Sequence, residues 1–283
     1  MKKMRRRLFV CLLVMTVSAI ATGQTISDLK RAILMTYYGT SEDSARVAAL
    51  DAMTEHARHA FPTIEVREAY TSKAAANALM RREGIERLIF PKAMERLLAD
   101  GFNEVIVVCC EMIDGGEADY MKRHIERLRP QFFDIKLTTP LLYTLDDCRK
   151  VLDVMVSQVR AEADEQAVLI GHGRDGAAND VYCLADYILQ HEGHENYHIG
   201  TISGYPSINE VKKILKANDT KKVVLAPLIV AAAGHATKDI FKTWREEMEA
   251  EGYQVRLVRQ GVLEYPAIRE MIADKIKQAL EEP

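Results

Sequence analysis

The chain has 283 residues, of which 48% are hydrophobic and 28% charged, with a formal net charge of −3. No segment is low-complexity, and the length is enough to bury a full core as one large domain or two of ordinary size. The acidic balance does not suit a nucleic-acid or anionic-lipid surface.

Residues 1–23 read as a secretory signal peptide. Lys2, Lys3, Arg5, Arg6 and Arg7 form a basic start, residues 8–20 are almost wholly apolar, and small residues precede Gln24. The apolar run is about 13 residues, shorter than the roughly 20 a spanning helix needs, so cleavage is expected rather than a retained anchor. Cys11 lacks the preceding small residue of a lipid-anchor signal. Cleavage removes five basic residues and leaves 33 basic against 41 acidic, a balance of −8. The expected product is exported or periplasmic, with no nucleic-acid partner and no stable membrane insertion. Cys109 and Cys110 sit in a strand-like run, where adjacent side chains face opposite sides, and read as small buried hydrophobes.

Strand and helix signals then alternate to the end. Strand-like runs cover 32–38, 64–69, 104–110 and 135–138, then 167–172, 197–202, 222–229 and 254–258. Helical patterns cover 43–60, 74–82, 91–100, 117–128, 145–163, 177–190, 208–217, 236–251 and 266–280. Apolar strands between amphipathic helices predict parallel sheets covered on both faces. The fold class is therefore α/β, with two similar four-stranded lobes, 24–150 and 151–283, and a cleft between them.

The halves resemble each other. Residues 104–117 lie over 222–235 without a gap, placing Glu117 opposite His235, and aligning Gly39 with Gly173 places Tyr38 opposite His172. Ligands of open parallel sheets bind beyond the carboxyl ends of the strands. Tyr38, Gly39, Thr40 and Ser41, then 115–117, 171–174 and 234–237, all fall there.

His172 stands between Gly171 and Gly173, which let a ligand approach closely. His235 follows small residues at a helix start. Glu117 also begins a helix, where the dipole alone would favour a carboxylate. Two imidazoles and a carboxylate suit a divalent metal of borderline softness, and they also suit proton transfer. The histidines of 191–198 read instead as a solvated loop. GxGxxG after the first strand, GxxxxGK[ST] and GxSxG are all missing, which leaves nucleotide-dependent and hydrolase readings without support.

Tyr38-Gly-Thr-Ser41, Ala69-Tyr-Thr-Ser72, Asp114-Gly-Gly-Glu117, Thr139-Pro-Leu-Leu142, Gly171-His-Gly173, Gly204-Tyr-Pro206, Gly234-His-Ala236 and Tyr265-Pro-Ala-Ile268 occur in this order. Together they resemble the class II tetrapyrrole chelatases, most closely the anaerobic sirohydrochlorin cobalt chelatases of CbiK type. The resemblance implies a tetrapyrrole held between two α/β lobes. It implies that His172 accepts pyrrole protons and helps hold the metal, that His235 is a second metal ligand, and that Glu117 is an acidic member of the catalytic and metal set. Tyr38, Gly39, Thr40, Ser41, Ser203 and Tyr205 would line the substrate.

It implies no cofactor beyond the divalent metal substrate, Co²⁺ first, with Fe²⁺ or Ni²⁺ as alternatives. The partner would be sirohydrochlorin or a related tetrapyrrole, with haem as another candidate; homo-oligomerisation is left open. Three departures stand out. Ser203 occupies the place of a metal-binding glutamate. The family's Gly-Asp-His-Ala reads Ala-Gly-His-Ala, so the acid before His235 is missing. Export also separates this chain from cobalamin synthesis inside the cell. The rival reading is an exported tetrapyrrole, haem or metal carrier with this fold and no insertion activity.

Overall fold

The computed structural model describes residues 29–282; the expected signal segment, 1–23, lies outside them. The alternation becomes two four-stranded parallel sheets. The first contains β1 (Arg31–Tyr37), β2 (Glu65–Tyr70), β3 (Glu104–Cys109) and β4 (Asp134–Leu137), in the spatial order β2-β1-β3-β4. The second contains β5 (Glu165–Gly171), β6 (Tyr197–Thr201), β7 (Lys222–Pro227) and β8 (Gln254–Leu257), in the order β6-β5-β7-β8. Helices α1 (Asp43–Ala45), α2 (Ala52–Ala60), α3 (Lys73–Glu83), α4 (Phe90–Ala99) and α5 (Gly116–Leu128) belong to the first lobe. They are followed by α6 (Leu145–Val159), α7 (Asp180–His191), α8 (Ile208–Ala217), α9 (Arg245–Ala250) and α10 (Pro266–Glu281).

The two sheets share register as well as strand order. Ala32 pairs with Val105, and Gln166 pairs with Val223. Beyond β1 and β2, the Thr71 and Ser72 amides donate to the carbonyls of Tyr37 and Tyr38. Beyond β5 and β6, Ile202 and Ser203 donate to Gly171 and His172 in the same way. Leu141 donates to Glu111 as Val262 donates to Ile229. These ladders put Tyr38 opposite His172, Ser72 opposite Ser203, and Glu111 opposite Ile229, so the repeat in the sequence is a repeat of the backbone.

Period-two alternation assigns each strand residue to one of two cores. Ile33, Met35, Ile106 and Val108 face inward with Ala167, Leu169, Val224 and Ala226 in one core shared by both lobes. Leu34, Val105 and Val107 face outward under α4 and α5, and Val168, Val223 and Leu225 face outward under α8 and α9. Each large side chain so buried contributes roughly 1.5–3 kcal/mol. The last helix ties the lobes together: α10 packs on α2 and β3 of the first lobe. Its Lys275 Nζ lies 2.8 Å from both Thr139 and Asp147, and the Lys136 ammonium reaches back to the Ala279 carbonyl at 3.0 Å.

The expected helix over 145–163 stops at Val159. Arg160 turns left-handed (φ 49°), and the Arg256 guanidinium takes up the freed carbonyls of Val159 and Arg160. The helix expected over 43–60 widens into a π turn at Arg46–Asp51 after α1, and the one expected over 236–251 begins with one, Ala236–Trp244. Such turns are frequent near functional sites, and both follow loops that meet between the lobes.

Candidate active site

In each sheet the chain steps from the first strand to one side and then returns to the other. The crevices at this reversal lie beyond β1 and β3 in one lobe, and beyond β5 and β7 in the other. The loops leaving those four strands face one another. The Gly234 amide donates to Glu42 Oε1 at 2.8 Å across the interface. Arg174 Nη1 reaches over the opposite lobe, 2.8 Å from where a Cβ on Gly115 would stand.

His172 leaves β5 into a turn that glycine makes possible. Gly173 has φ +73°, and a Cβ there would lie 2.6–2.7 Å from Thr201 and the Ser203 carbonyl oxygen. The matching Gly39 has φ +97° and presses its backbone against the Tyr70 ring. His172 Nδ1 is 2.8 Å from the Gly173 carbonyl oxygen, and His235 Nδ1 is 2.8 Å from Asp239 Oδ2, one helical turn further on. A carbonyl and a carboxylate only accept, so both Nδ1 atoms carry the proton and both Nε2 lone pairs are left free. The two rings meet edge to face, centroids 4.5 Å apart and planes at 89°. Asp239 thus supplies a carboxylate to His235 from a position the local motif around His235 does not reveal.

Two further residues set the His172 loop. Buried Tyr182 lies beneath it, with a ring that leaves no room for a Cβ on Gly171. Burial pushes its phenol up to about 12, opposed by hydrogen bonds with the Gly173 and His172 backbone. Buried Asn179 joins two loops: its Oδ1 accepts from the Arg174 amide at 3.0 Å, and its Nδ2 donates to the Tyr205 carbonyl at 2.6 Å. A capping box of Ser207 and Glu210 then starts α8 and fixes the far end of the segment. Ser203 stands beside His172 through its amide, and Tyr205 leaves its ring 58% exposed.

The first lobe presents different chemistry at matching positions. Tyr38 is 52% exposed. Thr40 Oγ1 accepts from the Glu42 amide at 3.1 Å, its carbonyl accepts from the Tyr70 hydroxyl at 3.3 Å, and Ser41 receives Arg82 at 3.4 Å. Glu117 lies in the first turn of α5. Glu111, just past β3, was not visible as a site residue in the sequence. Its Oε1 is buried without a hydrogen-bond partner. Burial first, and the Glu117 carboxylate second, push its carboxyl up to about 8, against a hydrogen bond from the Tyr38 backbone. Glu111 is therefore largely protonated at neutral pH.

The structure brings His172 and His235 together and sets Ser203 next to His172. Among the described residues no three His, Cys, Asp or Glu side chains converge as a metal-holding group, so Glu117 does not join the imidazoles in a preformed three-point set. The histidines of 191–198 are not all in a solvated loop. His191 stacks on Tyr187, whereas His198 lies 1% exposed in β6, bonded to Gln190 and Gln166. Burial holds its imidazole down to about 4, which makes it a neutral core residue.

Comparison with known proteins agrees with this architecture. The profile of the cobalt chelatase (CbiK) family matches residues 31–281. The sirohydrochlorin cobaltochelatase of Salmonella typhimurium is 26% identical over 257 residues, covering 89% of this chain and 97% of that protein. The sirohydrochlorin cobaltochelatase CbiKC of Nitratidesulfovibrio vulgaris is 26% identical over 267 residues, covering 91% and 93%. Among solved structures, SirB from Bacillus subtilis with Fe³⁺ superposes with a TM-score of 0.65 at 14% identity, over 89% of this chain and 96% of that one. The cobalt complex of the sirohydrochlorin chelatase SirB from B. subtilis subspecies spizizenii gives 0.62 at 14% identity, over 90% and 97%.

Proposed function

The chain belongs to the cobalt chelatase (CbiK) family, and from that premise we propose that it is a metal chelatase inserting a divalent cation into sirohydrochlorin or a closely related tetrapyrrole. The observation that carries this reading is the pair of touching imidazoles at the inter-lobe crevice, each with Nδ1 committed to an acceptor and Nε2 free. Insertion exchanges two pyrrole N–H protons for one divalent ion. Ring and ion must meet, the ion must shed water, and a base must receive the protons.

His172 is the proton acceptor at Nε2; exposed to solvent, it takes the two pyrrole protons in turn and passes each to water. Its Nδ1–H stays on the Gly173 carbonyl, so the ring keeps its orientation while protonated. His235 is the principal donor to the incoming ion, because the Asp239 carboxylate holds its Nδ1–H and leaves Nε2 for the ion. Glu117 and Glu111 give the opposite wall its acidic groups, and Glu117 helps draw the cation toward the imidazoles. The exposed rings of Tyr38 and Tyr205 offer flat apolar surface to a macrocycle, and Gly39, Thr40, Ser41 and Ser203 shape the backbone against which it lies. Co²⁺ is the first candidate ion and Fe²⁺ the second, since a nitrogen-rich donor set accepts either. No further cofactor enters this reading. The basic and apolar start of the sequence supports action in an exported compartment.

The test is an anaerobic spectrum of the protein with sirohydrochlorin and Co²⁺, beside the His172→Ala variant. Rapid conversion to the metallated spectrum, lost in the variant, is the expected result. A bound but unmetallated spectrum in the wild type would overturn insertion and establish a carrier.

A further inference from the structure

The Arg174 side chain has no role in the proton transfer, and its surroundings ask for an anion. It extends from the His172 loop across the crevice to the Gly115–Gly116 backbone of the other lobe, where the absence of side chains leaves room for a guanidinium. Its Nε donates to the neighbouring Asp175 carbonyl at 3.1 Å. Among the described residues no ion pair involves it, and its two terminal nitrogens have no hydrogen-bond partner. Asp114, which precedes Gly115 in the opposite loop, is already held by Lys122 at 2.6 and 2.8 Å. A backbone hydrogen bond from Arg174 to buried Asn179 fixes the root of the side chain. The result is a planar cation, anchored at its base and open at its tip, two residues from the proposed proton acceptor.

We propose that Arg174 is a substrate-positioning residue that binds a ring-edge carboxylate of the macrocycle across the inter-lobe crevice. This rests on the tetrapyrrole reading above, and it adds the part of the substrate that reading leaves unassigned. Sirohydrochlorin carries acetate and propionate groups around its rim. A guanidinium matches a carboxylate with two parallel N–H donors, a geometry an ammonium does not reproduce. With the ring face against Tyr38 and Tyr205 and one rim carboxylate on Arg174, rotation of the macrocycle is restricted, and its inner nitrogens face the imidazoles.

The experiment measures sirohydrochlorin binding by fluorescence quenching without metal, and Co²⁺ insertion kinetics under anaerobic conditions, in wild type, Arg174→Ala and Arg174→Lys. Circular dichroism of each variant confirms the fold. Loss of a charge-assisted bond predicts that Arg174→Ala weakens binding and raises KM about tenfold or more, with a much smaller change in kcat. Arg174→Lys should recover part of the binding, and the salt dependence of binding should be shallower in Arg174→Ala than in wild type. Unchanged affinity in Arg174→Ala beside an active wild type would overturn the Arg174 assignment alone. A fall in kcat with unchanged KM would overturn it too, by placing the residue at the reaction centre. A wild type that neither binds nor metallates sirohydrochlorin would overturn the chelatase reading and this assignment with it.

Discussion

The two lobes have one backbone and two chemistries. Strand order, register and the positive-φ glycine after the first strand are the same in both. At matching positions the first lobe carries Tyr38, Glu111 and Glu117, and the second carries His172, Ile229 and His235. The duplicated fold supplies equivalent places around the crevice, and the proposed reaction divides the work by residue type: acceptor nitrogens on one wall, acidic groups and an exposed phenol ring on the other. The strongest test of that division removes matched residues. His172→Ala should lower the insertion rate by about 10²–10⁴-fold, the usual contribution of a positioned base. Tyr38→Phe keeps the ring face and should change the rate by only a few-fold. Equal losses in the two variants, read from anaerobic insertion kinetics, would show that the lobes do not divide the reaction in this way.

Asp239 sharpens the comparison one step further from the chemistry. Glu117, the counterpart of His235, needs no such partner, whereas an imidazole must be held in the right tautomer. Asp239→Asn replaces a carboxylate that only accepts with an amide that can also donate to Nδ1, so the tautomer is no longer fixed. Loss of a carboxylate behind a ligating histidine typically costs 10–100-fold in metal affinity or activity, so a loss of about that size is expected here. Co²⁺ affinity by competition with a chromophoric chelator gives the number. An unaltered affinity would mean that His235 does not bind the ion through Nε2.

Strand periodicity made the lobes legible in the sequence, because parallel strands buried on both faces leave unbroken apolar runs bounded by glycine. His172 and His235 were legible for the same reason: each follows a strand end among small residues. Three features were not. Glu111 follows an apolar strand directly, and nothing in its neighbours signals that one carboxylate oxygen is buried unpartnered. Asn179 acts between two loops that only tertiary structure brings together. The last helix, 266–281, has an ordinary amphipathic pattern that marks the helix but not the lobe it covers.

The lobes also bury titratable groups of opposite kind, which predicts opposite pH responses. Glu111 rises from its ordinary 4.5 to about 8. Between those values the folded state holds a proton that the unfolded state has lost, so stability falls as pH rises through this window. His198 drops from 6.5 to about 4. Between those values the unfolded state binds the extra proton, so stability falls as pH decreases through that window. Glu111→Gln should therefore stabilise the protein at pH 8 by about 1–3 kcal/mol and change little at pH 5. The acid-side loss from His198 should remain. Urea midpoints at the two pH values measure both, and an equal shift at pH 5 and pH 8 would refute the protonated Glu111.

The smallest expected effect distinguishes the paired serines. Ser72 Oγ accepts from the Ala75 amide at 3.2 Å and caps α3. Ser203 is exposed, and among the described residues only its amide is engaged, with the His172 carbonyl. A carboxylate introduced at Ser203 therefore enters beside the imidazoles without breaking a cap. One introduced at Ser72 enters the lobe that is already acidic and puts a bulkier group in the capping position. Ser203→Glu should tighten Co²⁺ binding a few-fold, up to about tenfold, because a charged third donor joins the two imidazole nitrogens. Ser72→Glu should leave metal affinity alone and cost about 1 kcal/mol or less, as cap replacements do. Metal titration of both variants decides the matter. No gain at Ser203 would mean that the first-lobe carboxylates already complete the donor set once the macrocycle is bound, and the division of labour between the lobes would then extend to the metal itself.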